Sequence, residues 1–212
     1  MMSNPHPYLV IEGNIGSGKT SLSQMLAKDW SCNLVLEEFA DNPFLAKFYD
    51  SPERYAFPLE LSFLSERFSQ LKKELQQDLF QPKVIADYFI AKCSIFAAHN
   101  LQQDEKQLFM KMYDLVSSNL PQPDLIVYLY VQTERLQANI RKRGRSYEQN
   151  ISDDYLQNIQ QQYLQYFQQH PQLTVLMMDT TNVDFVANAD NYHQMKELIQ
   201  SSYTNGIHRF VL

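Results

Sequence analysis

The feature that most constrains this chain is a glycine-rich segment, residues 13–20, that directly follows the apolar run 8–11. Between a strand and a helix, such a segment lets backbone N–H groups surround phosphate oxygens at the positive end of the helix. Lys19 is expected to reach the β- and γ-phosphates, and Thr20 is expected to bind Mg²⁺. The segment therefore predicts a site for a nucleoside triphosphate. The predicted phosphate-binding residues are Gly13, Asn14, Ile15, Gly16, Ser17, Gly18, Lys19 and Thr20.

Composition sets the class of protein and excludes several kinds of partner. With 212 residues, of which 44% are apolar, the chain suits one α/β domain that spans residues 1–212. A net charge of −6 provides no broad basic surface for a polymeric nucleic acid. Cys32 and Cys93 lack metal-ligand spacing, and no apolar stretch is long enough to span a bilayer. We therefore expect a cytoplasmic protein without a membrane partner.

Apolar runs and helical patterns alternate along the chain, which predicts a parallel sheet with helices on both faces. The apolar runs are short and rich in Val, Ile and Leu, as buried parallel strands are. The predicted strands are 8–11, 34–36, 84–86, 125–130 and 174–178. The longest predicted helix extends from Pro52 to about Asp78, and further helices are predicted near 90–100, 104–119, 133–143, 152–168 and 190–201. These patterns predict a five-stranded sheet flanked by helices.

Polar residues follow the predicted strands, at the edge where an open α/β sheet binds its ligands. Glu37 and Glu38 follow the second strand, and Asp87 follows the third. A carboxylate at such a position suits a general base, a Mg²⁺ ligand or a helix cap. Four cations lie within residues 141–145 of this acidic chain. Beside a phosphate-binding loop, this cluster is typical of a mobile lid over a transferring phosphoryl group.

With these residues in place, the chain resembles the deoxynucleoside kinases, a family that includes the deoxycytidine, deoxyguanosine and deoxyadenosine kinases. The resemblance covers nearly the whole chain and rests on I-E-G-N-I-G-S-G-K-T at 11–20, E-E-F at 37–39, Y-D-S-P-E-R-Y-A-F at 49–57, D-Y at 87–88 and R-K-R-G-R-S-Y-E at 141–148. It implies the P-loop kinase fold with an Arg-rich lid, and a homodimer. It also implies an enzyme of nucleotide salvage that uses ATP and Mg²⁺ to phosphorylate the 5′-hydroxyl of a deoxynucleoside.

The resemblance further implies roles for individual residues around the sugar and the phosphate. Glu38 looks like the general base that takes the proton from the 5′-hydroxyl. Tyr49 and Glu148 look like the pair that holds the 3′-hydroxyl. Arg143 and Arg145 look like the catalytic lid arginines.

On the base side, Glu60 stands where the family usually has a Gln that reads the base, and Arg67 looks like a base-side arginine. Phe96 looks like a base-stacking aromatic residue. Asp87 is assigned to the substrate site and, with Thr20, to Mg²⁺.

The chain departs from the family pattern at two further positions. Phe39 stands where the family commonly has Pro after the catalytic Glu, which leaves Glu37 as the alternative base. Tyr88 stands where the family usually has Arg. The missing charge must then come from Arg141 or another lid cation, and Arg141 is placed among the nucleotide-binding residues.

The replacement of Gln by Glu at position 60 predicts the preferred base. An ionised carboxylate only accepts hydrogen bonds, and guanine presents two adjacent donors, N1–H and the 2-amino group. Arg67 is expected to donate to the O6/N7 edge or to neutralise Glu60. We therefore expect a purine kinase, for deoxyguanosine or deoxyadenosine, with deoxyguanosine at or near the top.

Two alternative functions use the same phosphate loop. A nucleoside monophosphate kinase, such as thymidylate kinase, needs cations for the phosphate of its acceptor, whereas the acceptor residues predicted here are largely acidic. A non-catalytic nucleotide-binding switch is the other alternative, and the switch motifs D-x-x-G and N-K-x-D of a GTPase do not occur in the sequence.

Overall fold

The computed structural model describes residues 4–38, 42–75 and 83–212. Its strands are β1 (Tyr8–Gly13), β2 (Asn33–Val35), β3 (Val84–Ala86), β4 (Leu125–Tyr130), β5 (Thr174–Asp179) and β6 (Gly206–Val211). They form one parallel sheet in the order β2-β3-β1-β4-β5-β6. The expected α/β architecture is confirmed, with five of its strands close to the predicted positions.

The predicted number of strands was wrong, because the described sheet has six strands and not five. The additional strand, β6, pairs with β5 at the edge of the sheet. Its residues are half-buried or exposed, and none is fully buried. An edge strand of this kind carries polar residues such as His208 and Arg209. It therefore lacks the continuous apolar run by which the five buried strands were identified.

Helices connect the strands and cover both faces of the sheet. Their bounds are α1 (Lys19–Trp30), α2 (Leu45–Asp50), α3 (Pro52–Leu75), α4 (Ala91–Asn100), α5 (Gln103–Ser117), α6 (Thr133–Arg143), α7 (Asp153–Gln169) and α8 (Ala189–Gln200). The short α2 was not predicted, and the predicted end of the long helix at Asp78 lies outside the described residues. Within the described part of the chain, no helix is both long and apolar enough to cross a membrane.

Successive side chains of a strand point to opposite faces of the sheet, so the hydrophobic core is divided between the two faces. Val10 and Ile126 belong to a cluster that includes residues of α3, α4 and α7. Leu9 and Leu125 belong to a second cluster, which includes residues of α1 and α8. Because β1 is buried along its whole length, the phosphate loop that follows it is anchored at the centre of the sheet.

The phosphate loop depends on a glycine at the end of β1. Gly13 has a φ of +152°, and a Cβ atom there would lie 2.7 Å from the carbonyl oxygen of Leu129 and 2.6 Å from Oγ of Ser17. Only glycine fits so close to two neighbouring atoms. This contact fixes where the chain leaves the sheet and turns toward α1.

We predict that Gly13→Ala lowers the free energy of unfolding by about 1–3 kcal/mol more than Gly206→Ala does. Both positions have positive φ angles, but a Cβ atom at Gly206 would meet nothing within 4 Å. The pair therefore separates crowding from backbone strain. Urea unfolding of the two variants measures the difference, and equal losses would contradict the crowding at Gly13.

Candidate active site

Two clefts open at the carboxyl ends of the strands and meet at the phosphate loop. The inner cleft, about 790 Å³ including the solvent at its mouth, is bounded by α2, α3, α4 and the segment after α6. The outer cleft lies between the phosphate loop, α6 and the segment after β5. Four residues line both clefts: Lys19, Thr20, Arg143 and Arg145. The junction of the clefts therefore combines the phosphate loop with the lid cations.

Most of the predicted site residues lie in these clefts. The inner cleft is lined by the predicted residues Ile15, Lys19, Thr20, Tyr49, Glu60, Arg67, Asp87, Phe96, Arg143, Arg145 and Glu148. The outer cleft is lined by the predicted residues Gly16, Ser17, Gly18, Lys19, Thr20, Arg143 and Arg145. Residues more than a hundred positions apart in sequence are thus brought together.

Hydrogen bonds from the loop's own residues hold the phosphate loop in shape. Asn14 is buried, and its side chain donates to the carbonyl oxygen of Leu156 and accepts from the backbone N–H of Ile15. Nζ of Lys19 donates to the carbonyl oxygen of Asn14 at 2.9 Å. Burial and the nearby charge of Lys92 lower the pKa of Lys19 to about 8. A phosphate bound at the loop would raise the pKa of Lys19 again, since an anion stabilises the ammonium form.

A buried carboxylate, Glu12, supports the loop from below. It accepts hydrogen bonds from the backbone N–H of Gly13 and of Phe89 and from the hydroxyl of Tyr163. Burial raises the pKa of Glu12. Its hydrogen bonds therefore connect β1 with α7 and with the segment after β3.

Thr20 and Asp87 are adjacent, as a shared Mg²⁺ site requires. Oγ1 of Thr20 donates to Oδ2 of Asp87 at 2.6 Å, and the other carboxylate oxygen, Oδ1, accepts from the backbone N–H of Glu37. Oxygen ligands of this type suit Mg²⁺, which keeps several waters and binds phosphate oxygens besides. The donor set therefore fits the ion, although no group of three or more His, Cys, Asp or Glu side chains occurs among the described residues.

Of the neighbouring pair Glu37 and Glu38, it is Glu37 that lines the inner cleft. Its Oε1 accepts from Nε of Arg67 at 2.8 Å and also from Nη2, and its Oε2 accepts from Nζ of Lys92 at 2.5 Å. Burial alone would raise the pKa of Glu37, but the charges of Arg67 and Lys92 outweigh it and lower the pKa to about 2. The group is therefore an ionised acceptor near neutral pH.

The choice of Glu38 as the candidate base is contradicted by its position. Glu38 is exposed and does not line the inner cleft, and its Oε1 lies 3.5 Å from the amide nitrogen of Gln70. Neighbouring residues after a strand point to opposite sides, so only one of the pair turns inward. Packing against α3 and α4 places Glu37 in that position, while Phe39 lies outside the described residues.

Glu60 lies in the inner cleft with only 1% of its surface exposed. Its Oε1 accepts from Nδ2 of Asn100 at 2.7 Å, and its Oε2 is buried without a hydrogen-bond partner in the described part of the chain. Burial raises the pKa of Glu60 to about 7, against the opposing effects of Asn100 and Arg67. A buried carboxylate oxygen without a hydrogen bond lowers stability. Oε2 of Glu60 is therefore a candidate acceptor for a hydrogen bond from a ligand.

Arg67 lines the inner cleft, where it is buried and binds Glu37 and Cys93. Its Nε and Nη2 donate to Glu37, and its Nη1 lies 3.1 Å from Sγ of Cys93. The ring of Phe63 lies 4.4 Å from the guanidinium carbon. These contacts use three of the five guanidinium N–H groups, and the donation of Arg67 to the O6/N7 edge of a base stays a prediction.

Lys92 is a residue of the site that the sequence reasoning missed. It belongs to α4, is 6% exposed and binds Glu37 from the side opposite Arg67. The signal that pointed to it was the departure at Tyr88, which is fully buried and donates to Gln70. Because the arginine expected at position 88 is missing, its charge has to come from another residue. Lys92 is the next cation along the chain, four residues later.

The lid follows α6, which ends at Gly144 with a φ of +73°. Beyond it, a 3₁₀ turn (Ser146–Glu148) returns Glu148 to the inner cleft, where both Arg143 and Arg145 donate to its carboxylate. Tyr49 lies beside them, with its ring stacked on that of Tyr147 at a centroid distance of 6.1 Å. The predicted sugar and lid residues thus form one polar cluster.

Phe96 and Arg141 are two other predicted site residues, and only Phe96 lines a cleft. Phe96 lines the inner cleft, with its ring edge-on to that of Tyr163 and the ammonium of Lys92 at 5.7 Å from its centroid. Arg141 is exposed and lines neither cleft, so its placement among the nucleotide-binding residues was wrong. Adjacent residues on a helix point about 100° apart, and Lys142 and Arg135 face the outer cleft instead.

Comparison with known proteins identifies relatives along nearly the whole chain. The family model described as "Deoxynucleoside kinase" matches residues 9–203. A deoxyguanosine kinase of Bacillus subtilis is 38% identical over 207 residues, which cover 92% of this chain and 99% of the relative. A deoxyadenosine kinase of Dictyostelium discoideum is 32% identical over 154 residues, which cover 70% of this chain and 61% of the relative.

Solved structures have the same fold at lower identity. A deoxyadenosine kinase from M. mycoides with bound dATP superposes with a TM-score of 0.78 at 22% identity, over 91% of this chain and 98% of the other. The same enzyme with bound dCTP gives a TM-score of 0.76 at 23% identity, over 90% and 97% of the two chains. The architecture described above is therefore the P-loop kinase fold.

We predict that Glu60→Gln raises the free energy of unfolding by about 3 kcal/mol at pH values above the pKa of Glu60. Burial raises that pKa from its ordinary value of 4.5 to about 7, so the folded state holds the proton more firmly than the unfolded state. Stability is then highest below the unfolded pKa and falls as the pH rises toward the folded pKa. Glutamine does not titrate and is spared this loss.

Urea unfolding as a function of pH measures the difference. Glu66→Gln, on an exposed position of the same helix, is the matched control and is expected to follow the wild type. A Glu60→Gln curve that is parallel to the wild-type curve would contradict the strained state of this carboxylate.

Proposed function

We propose that this chain, which belongs to the deoxynucleoside kinase family, transfers the γ-phosphoryl group of ATP to the 5′-hydroxyl of a purine deoxynucleoside, with deoxyguanosine preferred. The observation that carries the proposal is the junction of the two clefts at Lys19, Thr20, Arg143 and Arg145. A donor in the outer cleft and an acceptor in the inner cleft would meet where the cations lie, as phosphoryl transfer requires.

The reaction then proceeds by positioning and by neutralisation of charge. Lys19, Arg143 and Arg145 hold the transferring group. Thr20 and Asp87 would hold Mg²⁺, which when bound would supply positive charge next to the phosphates. Glu37 accepts the proton of the 5′-hydroxyl while that oxygen bonds to phosphorus. The bond from phosphorus to the leaving oxygen breaks, and the nucleoside diphosphate carries away the electron pair. Glu37 replaces Glu38 in this role because only Glu37 faces the cleft.

The charges of the inner cleft support an uncharged acceptor. Arg67 and Lys92 are paired with Glu37, and Arg143 and Arg145 are paired with Glu148. A nucleoside monophosphate would need a cation for its own phosphate, in addition to the cations at the junction. A nucleoside needs hydrogen-bond acceptors for its hydroxyls, which Glu37 and Glu148 supply.

Glu60 supports a preference for guanine. Glu60 lines the inner cleft, its Oε2 has no hydrogen-bond partner among the described residues, and its Oε1 retains a further lone pair beside Asn100. When ionised, the carboxylate accepts from N1–H and the 2-amino group of guanine at once. Adenine would direct its ring acceptor N1 at the same oxygens, at a cost of about 1–3 kcal/mol for the unmatched pair.

We also propose a cytoplasmic homodimer in which residues 1–212 form one domain. The described strands form a single sheet, which supports one domain. Helix α5 exposes Leu108 at 52% and Leu115 at 74% of their surface, an apolar strip that favours contact with a second subunit.

For the catalytic base, we expect Glu37→Gln to lower kcat by about 10²-fold or more with little change in KM, as for loss of a general base. The neighbouring variant Glu38→Gln is the matched control, and we expect its kcat to stay within about threefold of the wild type. Steady-state phosphorylation of deoxyguanosine measures both. A loss confined to Glu38→Gln would reverse the assignment.

For the base preference, we expect Glu60→Gln to move selectivity from deoxyguanosine toward deoxyadenosine or deoxycytidine, because an amide both donates and accepts. In the wild type, protonation of Glu60 has a similar effect, since a neutral carboxyl also donates and accepts. The kcat/KM ratio of deoxyguanosine to deoxyadenosine should therefore fall as the pH falls through the pKa of about 7.

The Glu60→Gln variant supplies the control for this pH dependence, because its ratio should not follow that titration. A panel of the four deoxynucleosides at two pH values provides the measurement. Thymidine as the best substrate, or a ranking that Glu60→Gln leaves unchanged, would contradict the role of Glu60.

A further inference from the structure

Asn100 is a polar residue of the inner cleft whose side chain contacts Glu60. It is the last residue of α4 and lines the cleft together with Glu60. Its Nδ2 donates to Oε1 of Glu60 at 2.7 Å. The reverse orientation of the amide would place Oδ1 of Asn100 against a carboxylate oxygen, although both atoms accept hydrogen bonds. The amide nitrogen is therefore the atom of Asn100 that lies beside Glu60.

Glu60 and Asn100 together present three polar atoms in succession. Oε2 of Glu60 is buried without a hydrogen-bond partner among the described residues. Oε1 belongs to the same carboxylate, and Nδ2 of Asn100 is bonded to it. A primary amide has two N–H groups, and Oε1 takes one of them. When Glu60 is ionised, the succession is therefore acceptor, acceptor, donor.

Tyr155 is the group that competes for the second N–H of Asn100. It lines the same cleft. Burial and the charge of Glu60 raise the pKa of Tyr155, whereas a hydrogen bond from Asn100 opposes that rise, so the hydroxyl is close to both residues. A hydroxyl rotates and both donates and accepts. It can therefore yield the second N–H of Asn100 to an acceptor atom of a ligand.

We propose that Asn100 determines base specificity by donating its second amide N–H to O6 of guanine, while the two oxygens of Glu60 accept from N1–H and the 2-amino group. The Watson–Crick edge of guanine is donor, donor, acceptor, which matches the three atoms in order. This inference rests on the proposed function, since it names the residue that recognises the 6-position of the base in the same site.

The other three bases fail to match this succession of atoms. Adenine and cytosine each direct a ring acceptor at the middle position, which is also an acceptor. Thymine has an acceptor on both sides of its single ring N–H. A buried polar group that meets the wrong partner weakens binding, so each mismatch adds to the selectivity.

Two analogues of deoxyguanosine separate the contact of Asn100 from those of Glu60. In 6-thio-2′-deoxyguanosine, sulfur replaces O6 and is a weaker acceptor, while N1–H and the 2-amino group remain. Deoxyinosine keeps O6 and N1–H and lacks only the 2-amino group. The Kd of each analogue, divided by the Kd of deoxyguanosine, defines an O6 ratio and a 2-amino ratio. The bulk of the sulfur is common to every variant, so it cancels when O6 ratios are compared.

Isothermal titration without ATP, at a fixed pH just above the pKa of about 7 of Glu60, measures both ratios. In the wild type we expect each to be about tenfold. Asn100→Leu keeps the approximate size of the side chain but has no N–H, and Asn100→Ser has a single donor, which Glu60 takes. In both variants the O6 ratio should fall by about fivefold or more, while the 2-amino ratio changes by less than about twofold.

Two control variants should keep the O6 ratio of the wild type. Tyr155→Phe removes the competing hydroxyl and keeps the ring. Asn158→Leu makes the same substitution as Asn100→Leu at an exposed position of α7. Because each ratio compares nucleosides on the same protein, a partial loss of folded protein in a variant does not alter it.

Three results would overturn the role of Asn100. The first is an O6 ratio that neither Asn100 variant lowers. The second is an O6 ratio that falls in Tyr155→Phe but not in Asn100→Leu, which would assign the donor to the hydroxyl. The third is a fall of both ratios together in Asn100→Leu and Asn100→Ser, since Asn100 would then only position Glu60.

Failure of this inference is distinguishable from failure of the proposed function. If the wild type phosphorylates deoxyguanosine but the O6 ratio is independent of Asn100, only the role of Asn100 is lost. If the ratios depend on Asn100 as expected but deoxyguanosine is bound and not phosphorylated, the proposed reaction is wrong and the recognition of O6 by Asn100 stands.

Discussion

The carboxylate of Glu37 is the interaction on which the rest of the site depends. Its two oxygens bind Arg67 of α3 and Lys92 of α4, and its backbone N–H donates to Asp87 beyond β3. Glu37, a single residue just beyond β2, thereby connects α3, α4 and the segment after β3. Removing one partner from a buried pair of this kind leaves an uncompensated charge and costs about 3–5 kcal/mol, more than the pair itself contributes. The network therefore fixes the geometry of the cleft more than it stabilises the fold.

The site also keeps polar atoms that the fold does not satisfy. Oε2 of Glu60, a residue that lines the inner cleft, is buried without a hydrogen-bond partner among the described residues. An unpaired buried oxygen of this kind lowers stability, and a ligand that donates a hydrogen bond to it would offset the loss. Oγ of Ser17 is also buried without a described partner, and it lies against Gly13, 2.6 Å from where an added Cβ atom would stand.

The fold was predictable from the sequence to the extent that each element carries its own signal. Buried strands show short apolar runs, and the phosphate loop is a contiguous segment whose glycines have a local steric reason. The exceptions lack such a signal. Strand β6 lies at an edge with no fully buried residue, and α2 has only six residues, too few for a periodic pattern. Both owe their conformation to the elements they pack against.

The sequence by itself determined the phosphate loop, the parallel sheet, the family resemblance and the set of residues near the reaction. Only the tertiary structure decided which members of that set face one another. Glu37 rather than Glu38 turns into the cleft, because Arg67 and Lys92 approach from two separate helices. Arg67 consequently binds Glu37, and Arg141 lies outside both clefts. Side-chain direction and ion pairing depend on residues distant in sequence, so no local pattern encodes them.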